Sequence, residues 1–581
     1  MINNLTGRKL FILTIFFLVS VGTNGQTVPA SGYFKDVVNF SQQNPTGTAR
    51  VRGLGGAGVS LGGDFSHAVL NPAGLGFMRK SEYHFSAGMG FTGAEASGTG
   101  TTGTGNTSKF FLPEFGIVWA NSKSSNNGTG GGWRGGAFSI SFNRLADYNQ
   151  NISYTEDGSN KTSMLNYLEE AAFGIEKKYM DEAKNYYAQG YPFLALDEMA
   201  YYLDLIKPVY GDDPDSYNYY YILDRDKNGF TSTPISKRMQ VQETKGGQYE
   251  TSFAYGANYD DKFYIGGKLG VVHTNYHKTS SYVEERDGDL TYLGLNEDFR
   301  TTGWGINLQA GMIWRPIDAI RLGATITSPT WHSMTDNYSA NMTRDYDNYI
   351  WNDAEYQNKH FAGDEPSYVY NPEGANLYNP NAQNEDTKYN GRKSASHETI
   401  RTTYNMNTPW KASGGLSTIF GKKGFLTVDV EYVGNSAMKI TKMETFYGGA
   451  YEGFPTETQG DNEILNAEYR NTFNIRLGGE YRISKQFNLR AGYAYYQDPQ
   501  KEEYNLGVDK SRQFYSGGLG YRNKAFYMDM AVIYSQWKSL HSPYQLDANF
   551  VDESGNTVLI YPITDIQSSR TEVIFSIGKR F

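Results

Sequence analysis

The chain has 581 residues, a formal net charge of −9 and no cysteine. The absence of cysteine excludes a disulfide framework, thiol chemistry and the lipid-modified N-terminal cysteine of a bacterial lipoprotein. The mild charge, without a basic block that could neutralise phosphates, argues against a nucleic-acid partner.

The N-terminus has the three parts of a secretory signal peptide. Arg8 and Lys9 form a basic patch, an apolar run over 10–21 follows, and small residues suit cleavage after Gly25. The apolar run is too short to cross a bilayer as a helix. We therefore predict that residues 1–25 are removed on export.

Residues 26–80 lack the alternation of a strand and contain a glycine-rich stretch over 49–60. Within it, 53–58 matches the dinucleotide-binding spacing GxGxxG, but the preceding buried strand and following helix that this motif requires are absent. Glycine permits tight backbone turns. A segment of this length before the first strand is predicted to fill a barrel lumen as a plug, or hatch.

From about residue 81 the main signal is alternation of apolar and polar side chains over roughly 9–11 residues or more, the length that a tilted strand needs to cross a bilayer. Such stretches alternate lipid-facing with lumen-facing residues, which keeps mean hydropathy low, here −0.57. The fourteen stretches are 83–91, 109–120, 135–146, 248–259, 262–276, 301–314, 319–330, 399–419, 424–437, 468–483, 486–497, 511–522, 525–537 and 571–581.

The connections between these stretches alternate between short and long. The short set is 260–261, 315–318, 421–424, 484–485 and 523–524, with a longer Gly/Ser/Asn-rich member at 121–132. The long set is 93–108, 149–247, 277–300, 331–398, 438–467, 498–510 and 538–568. Outer-membrane barrels have an even strand count, short periplasmic turns and long outer loops, whereas a secreted β-sandwich need not keep this parity. The prediction is an all-β protein: a 14-stranded antiparallel transmembrane β-barrel over 81–581, in the outer membrane of a Gram-negative bacterium.

Two outer loops, at about 149–247 and 331–398, are large. Apolar residues between Leu165 and Tyr179 recur at helical spacing, and 194–206 fits a second helix. These helices either pack on each other as a lid over the barrel mouth or bind an apolar ligand with their apolar faces. The second loop has no clear period and is predicted to be irregular.

Ionisable residues on the register opposite to the lipid-facing one are predicted to point into the lumen, because charges are costly in hydrocarbon. They either anchor the plug through salt bridges, or Arg476 or Arg490 meets a ligand carboxylate. The candidates are Asp429, Glu431, Arg476, Glu480, Arg482 and Arg490, with Asp529 and Glu572.

Other motifs give no catalytic or metal site. Asp224 to Gly229 resembles the start of a Ca²⁺ loop, but Ile235 stands where a bidentate Glu is required, which favours a solvated turn and leaves a weak ion site open. His273 and His277 share a strand face without a third ligand and fit polar lumen or interface positions. The scattered histidines suggest no Ser-His-acid site. No cofactor is predicted.

The sequence resembles the FadL-type outer-membrane transporters of long-chain fatty acids and aromatic hydrocarbons. The resemblance rests on Asn71-Pro72-Ala73-Gly74-Leu75 before the first strand, supported by Thr408-Pro409-Trp410, by the stretch 428–432 and by the strand count. It implies a monomeric barrel, a hatch that carries the Asn-Pro-Ala motif, and apolar ligands that leave sideways through a gap in the wall.

The leading hypothesis is passive uptake of hydrophobic small molecules by a non-enzymatic transporter in contact with membrane lipid. The terminal Phe581 is of the kind read by the barrel-assembly machinery. One alternative is a surface protein whose enlarged loops bind a partner or a carbohydrate. The other is a general porin, which requires an open channel that a plug would obstruct.

Overall fold

The computed structural model describes most of the chain beyond the predicted signal peptide, which lies outside the described residues. The described ranges are 32–98, 100–122, 132–158, 162–208, 214–217, 219–221, 224–226, 229–231, 235–288, 290–351, 387–447, 454–546, 549–551, 557–559 and 561–581.

Antiparallel strands form a closed barrel, since the first strand pairs with the last from Glu82↔Arg580 to Ser97↔Asp565. The strands are β1 (Glu82–Gly98), β2 (Thr101–Phe111), β3 (Glu114–Ser122), β4 (Trp133–Asp147), β5 (Gln150–Asp157), β6 (Ile206–Pro208), β7 (Tyr219–Tyr221), β8 (Asp224–Asp226), β9 (Gly229–Thr231), β10 (Ile235–Tyr259), β11 (Phe263–Arg286), β12 (Leu290–Ile317), β13 (Ile320–Thr327), β14 (Trp331–Trp351), β15 (Thr387–Ser396), β16 (Ile400–Asn407), β17 (Trp410–Phe420), β18 (Gly424–Gly434), β19 (Lys439–Tyr447), β20 (Phe454–Pro455), β21 (Thr472–Arg482), β22 (Phe487–Tyr496), β23 (Arg512–Arg522), β24 (Phe526–His541), β25 (Asn549–Val551), β26 (Thr557–Leu559) and β27 (Thr564–Arg580).

In several places two or three consecutive segments continue one another and together cross the wall once. Counted in this way, the barrel has fourteen wall strands. In order they are β1, β2 with β3, β4 with β5, β10, β11, β12, β13 with β14, β15 to β17, β18 with β19, β21, β22, β23, β24 and β27. The predicted fold class is thereby confirmed. Pro113, Pro329 and Pro409 lie at three of the interruptions. Proline has no N–H to donate to a ladder, so the strand stops there although the side-chain alternation continues.

The outer ends of several strands are longer than the sequence predicts. The predicted long connections 93–108 and 277–300 are wrong, because β1 turns into β2 at once and β11 pairs with β12 as far as Glu285↔Tyr292. The loop 331–398, predicted irregular, contains β14 paired with β15, and its residues 352–386 lie outside the described ones. Beyond the bilayer no face must be apolar, so the alternation that marks a strand fades.

The wall has an outward apolar band bounded by aromatic residues. On β12, Trp304 and Trp314 are 60% and 48% exposed and bracket the exposed Ile306, Leu308 and Met312. Tryptophan prefers the boundary between lipid and water. This strand therefore marks both surfaces of the bilayer.

Arginine placed in this band should impair assembly. Phe575 of β27 is 56% exposed on the outer face. Phe575→Arg is expected to lower the free energy of unfolding of the barrel by about 2–4 kcal/mol, the cost of arginine at the bilayer midplane. Urea unfolding of the refolded barrel in lipid vesicles measures this loss. Gln567→Arg lies on the same face of the same strand, beyond the band, and should have little effect. Equal losses would place β27 outside a membrane wall.

The C-terminal residue closes the periplasmic end of the seam between β27 and β1. Phe581 is 55% exposed, its ring stacks on Tyr83 at 4.8 Å, and its N–H donates to the Ser81 carbonyl at 2.9 Å. Its recognition by the assembly machinery stays a prediction.

The N-terminal segment, residues 32–80, packs against the inner faces of the wall strands. Its helices are α1 (Tyr33–Ser41), α2 (Ala49–Arg52), α3 (His67–Leu70) and a 3₁₀ helix (Pro72–Phe77). Its glycines permit close contact with the wall: Gly55 has φ +69°, and an added Cβ would lie 2.8 Å from the backbone of Tyr493. A side chain at this position would separate the segment from the strand.

Helices cover the outer end of the barrel: α4 (Met164–Ala172), α5 (Lys177–Ala188) and α6 (Leu196–Tyr202). The single helix predicted between Leu165 and Tyr179 is wrong at its centre, because the chain turns at Gly174, with φ +88°. Their apolar faces pack on each other and on the extended strands β11, β12 and β14. This is the lid arrangement, and these faces are not open to a ligand.

Two further helices follow strands β18 and β20. They are a 3₁₀ turn (Asn435–Ala437) and α7 (Gln459–Glu468). The carboxylate of Asp461 accepts the N–H of Phe34 at 3.0 Å, which joins α7 to α1. In the described part of the chain, no helix has the length and apolar character to cross a membrane.

Candidate functional site in the lumen

The inner charges near the periplasmic end form a buried network. Arg490 is 2% exposed and contacts Glu480 at 2.7 Å and Asp529 at 2.6 Å. Glu480 also accepts from Nε of Arg50, in α2, at 3.0 Å. These charges bind the N-terminal segment to the wall, and Arg490 has no surface left for a ligand carboxylate.

α2 makes further charge contacts with Asp64, which the sequence analysis did not identify, and with Glu572, which it did. Arg50 lies 3.4 Å from Asp64, and Arg52 forms an ion pair with Glu572. Burial would raise the pKa of the Asp64 carboxyl, but the charges of Arg50 and Arg522 hold this pKa well below its usual value. Asp64 is therefore charged at neutral pH and adds to the anchorage.

A second group of inner charges lies one strand away, on β18 and β21. Asp429 is fully buried and accepts the backbone N–H groups of Gly58 and Val59 at 2.7 and 3.0 Å. Glu431 contacts Arg476 at 3.3 Å. Asp429 thus holds the glycine-rich stretch directly, whereas Glu431 and Arg476 face a cavity.

Arg482 differs in position from the other residues predicted to carry charges into the lumen. The register places it on the inner side, but it is the last residue of β21 and lies exposed at the periplasmic rim. Alternation predicts the face of a side chain and not the height at which the lumen ends. Arg482 is therefore corrected from a lumen residue to a rim residue.

The motif Asn71-Pro72-Ala73-Gly74 lies buried against β12. The Asn71 amide donates to the carbonyls of Val59 at 2.7 Å and Met312 at 3.2 Å, and its oxygen accepts the N–H of Ala73 at 3.1 Å. Pro72 is the first residue of the 3₁₀ helix, where its fixed φ suits the turn. Asn71 caps this helix and joins it to the wall. A role of the motif in ligand exit stays a prediction.

A cavity of about 140 Å³ lies between the N-terminal segment and β10–β23. Most of its lining is polar. Its charged lining residues are five cations, Lys268, Lys411, Arg476, Lys510 and Arg512, and two carboxylates, Glu250 and Glu431. Lys268 is paired with Glu250 at 2.7 Å. The excess of cations makes the cavity suitable for an anionic group.

Two of these cations hold neutral oxygens of the N-terminal segment. The Lys411 ammonium donates to the side-chain oxygen of Gln43 at 2.7 Å. The Arg512 guanidinium donates to the Gln43 carbonyl and to the Asn44 side chain, both at 3.0 Å. Residues 43–44 therefore occupy the positions in which an anion would be held more strongly, since hydrogen bonds to charged acceptors are about twice as strong.

The wall is discontinuous beside these residues. Strand β2 pairs with β5 only at Thr101 and Thr102, and pairing resumes with Glu114↔Asn143 after the kink at Pro113. Between these points no ladder pair joins the two strands in the described residues. The two backbones still lie in contact at Gly103 and Gly105, where an added Cβ would clash with the carbonyl oxygens of Ser153 and Asn151, and the Arg144 N–H donates to the Pro113 carbonyl at 2.8 Å. We call the interval between these contacts, 106–112, the wall break.

The wall break lies at the height of the outward apolar band. On the intact side of β2, Ser108 pairs with Phe91 and Phe110 with Met89, and both β1 side chains are exposed. The N-terminal segment bridges the far side: the N–H of Asn44 donates to the Leu145 carbonyl at 3.0 Å. Asn44 thus contacts the cavity cation Arg512 and the edge of the break at the same time.

The outer part of the lumen is filled by α1 and is mostly apolar, with the buried Asp336 beside Tyr404. Tyr33 meets the Tyr404 ring edge-on at 5.0 Å, and Phe40 meets Tyr148 at 5.7 Å. The wall contributes a cluster rich in methionine and tyrosine, which we call the methionine–tyrosine cluster: Tyr148, Met334, Tyr404, Met406, Met438 and Met443. Methionine adapts its shape to different apolar partners.

A family model matches the second half of the barrel. Residues 294–544 match the family described as "Outer membrane protein transport protein (OMPP1/FadL/TodX)". The resemblance to the FadL-type family is confirmed. The matched segment includes Lys411, Arg476 and Arg512, whereas the motif at 71–74 precedes it. The protein is an outer-membrane β-barrel, and its residues 294–544 are similar to this family of transport proteins.

Solved structures of FadL-type proteins are similar along most of their length. A FadL homologue of Pseudomonas aeruginosa is 14% identical, with a TM-score of 0.47, over 93% of this chain and 99% of that one. The toluene transporter TbuX of Ralstonia pickettii is 13% identical, with a TM-score of 0.46, over 92% and 99%. The toluene transporter TodX of Pseudomonas putida is 10% identical, with a TM-score of 0.47, over 92% and 99%. No curated protein matches the chain.

Proposed function

We propose that the protein, acting as a monomer, takes up small molecules with a large apolar part, such as long-chain fatty acids or aromatic hydrocarbons. The N-terminal segment is the plug. The ligand enters from the outer end, displaces part of this plug and leaves sideways into the bilayer.

The wall break carries this proposal. A barrel that passes its solute straight to the periplasm has no need for an interruption at the height of the lipid chains. An apolar molecule that leaves at this height stays out of water throughout, which avoids a cost of about 25 cal/mol per Å² of apolar surface exposed.

The methionine–tyrosine cluster supports an apolar ligand. Val37 and Phe40 of α1 are both fully buried against it. An incoming apolar molecule can replace these side chains without leaving the cluster exposed to water. Occupation of the cluster by a ligand would therefore loosen α1 and the residues that follow it.

Within this class, ligands that carry a carboxylate fit best. Arg490 is closed off by its own ion pairs, whereas Lys411 and Arg512 donate to neutral oxygens of Gln43 and Asn44, with the Glu431 carboxylate also near Lys411. A ligand carboxylate in the cavity would replace these oxygens. The same replacement would weaken the hold on Asn44, which bridges the wall break.

The other two hypotheses are less well supported. A general porin requires a continuous aqueous path, whereas the N-terminal segment packs closely on the inner faces of the wall. A protein that only binds partners through its outer loops has no use for a cavity beneath a lid or for a wall break.

Uptake measurements test the proposal. Cells that express the protein should take up a radiolabelled long-chain fatty acid faster than cells without it, while vesicles containing it should not swell in small sugars. Lys411→Met with Arg512→Met should lower uptake of the acid several-fold and leave uptake of toluene nearly unchanged. Rapid swelling in sugars without fatty-acid uptake would favour the porin and contradict the proposal.

A further inference from the structure

A row of five residues, all basic except Asn337, runs across the outer surface of five adjacent wall strands. Cross-strand pairing places Lys245 opposite His277, His277 opposite Arg300, Arg300 opposite Asn337 and Asn337 opposite Arg401. The five residues share one height on β10, β11, β12, β14 and β16, and all point outward. We call them the basic row.

The basic row lies just above the apolar band. Trp304, the outer boundary of the band, follows Arg300 by four positions on β12, and its ring lies 4.4 Å from that of His273 at an interplanar angle of 54°. With about 3.4 Å per residue and a tilt near 40°, Arg300 lies about 10 Å above Trp304. This is the level of the lipid headgroups in the outer leaflet.

The basic row and the adjacent edge of β19 carry more cations than carboxylates. Lys245 contacts Glu243 at 2.7 Å, Lys442 contacts Glu444 at 3.0 Å, and Asp298 contacts both Arg300 and His277 at 2.8 Å. The Arg401 guanidinium lies over the ring of Phe446 at 4.2 Å. The exposed cations are Lys245, Arg300, Arg401, Lys439 and Lys442, against the carboxylates Glu243, Asp298 and Glu444.

The opposite side of the barrel has no such row. At the corresponding height, four positions above the exposed Phe91, pairing places Glu95 opposite Gln567 and Gln567 opposite Lys538. These strands carry one carboxylate and one cation at this height, with no excess of positive charge. The basic row is therefore confined to one sector of the wall, which indicates a ligand on that side and not a general adaptation to the membrane surface.

We propose that the basic row binds the phosphate groups of a phosphorylated glycolipid of the outer leaflet, that is, a lipopolysaccharide molecule. Guanidinium groups bind phosphate in a bidentate manner. Arg300 and Arg401 are separated by one strand, about 10 Å, so they can contact two phosphates of one headgroup. The acyl chains then lie along Trp304, Ile306 and Leu308. This site is independent of the transport function.

Binding of purified lipid A to the full barrel in detergent, with EDTA present to exclude divalent bridges, tests the proposal. Arg300→Gln with Arg401→Gln should weaken binding about tenfold or more. The matched control, Lys538→Gln with Lys579→Gln, removes two exposed cations from the opposite sector and should not. Enzymatically dephosphorylated lipid A should bind the unchanged protein as weakly as lipid A binds the double variant.

Equal weakening by both double variants would mean that only overall charge matters, and undiminished binding of dephosphorylated lipid A would exclude phosphate recognition. Either result overturns the proposal. Inorganic phosphate at the same concentration should not displace the lipid, and if it does, the site is one for free anions. Both variants alter exposed outward side chains, so assembly should be unchanged, which heat-modified gel mobility verifies.

Discussion

Arg490→Met is expected to lower the free energy of unfolding of the barrel by about 3–5 kcal/mol, the usual cost of removing one partner from a buried ion pair. Methionine retains most of the apolar volume, so the loss reports the charge. Asp529 would then keep only Arg522, at 4.0 Å, as a cation. Glu480 would keep its contact with Arg50 at 3.0 Å and a weaker interaction with Arg522.

Arg482→Met is the matched control, since Arg482 lies on the same inner register but is exposed at the rim. Its effect should stay within about 0.5 kcal/mol. Urea unfolding of both variants, refolded in the same lipid vesicles, provides the comparison. If the two substitutions have equal effects, the network around Glu480 does not stabilise the barrel.

Side-chain alternation was sufficient to predict the wall. Lipid on one side and polar groups on the other enforce a period of two, so the strand count and the inner positions of Asp429, Arg476 and Arg490 follow from the sequence. The same rule cannot locate the ends of a strand. Beyond the bilayer it no longer applies, which explains the missed outer extensions of β11 and β12.

The site itself was harder to predict. Lys411 and Arg512 follow the inner register, so alternation could have marked them, but nothing in the sequence pairs them with Gln43, more than 360 positions earlier. The wall break was equally hidden. Pro113 signals an interruption of one strand, whereas the loss of pairing depends on how its neighbour bends away, and that is a property of the closed barrel.

Covalent closure of the bridge across the wall break should stop uptake. The N–H of Asn44 donates to the Leu145 carbonyl at 3.0 Å, a separation that places the two residues near the range required for a disulfide. The chain has no cysteine, so Asn44→Cys with Leu145→Cys introduces the only thiols. Oxidation should lower uptake of a long-chain fatty acid at least tenfold, and a reductant should restore it.

The control joins two wall strands where the ladder is continuous. Ser86 pairs directly with Ser576, and their hydroxyls are 2.6 Å apart, so Ser86→Cys with Ser576→Cys forms a similar bond without bridging the break. Its oxidised form should take up the ligand normally. If the first disulfide forms completely, as mass spectrometry of the intact protein would record, and uptake is unchanged, residues 43–46 do not move during transport. A ligand would then have to leave without opening this bridge, and the sideways exit would lose its physical basis.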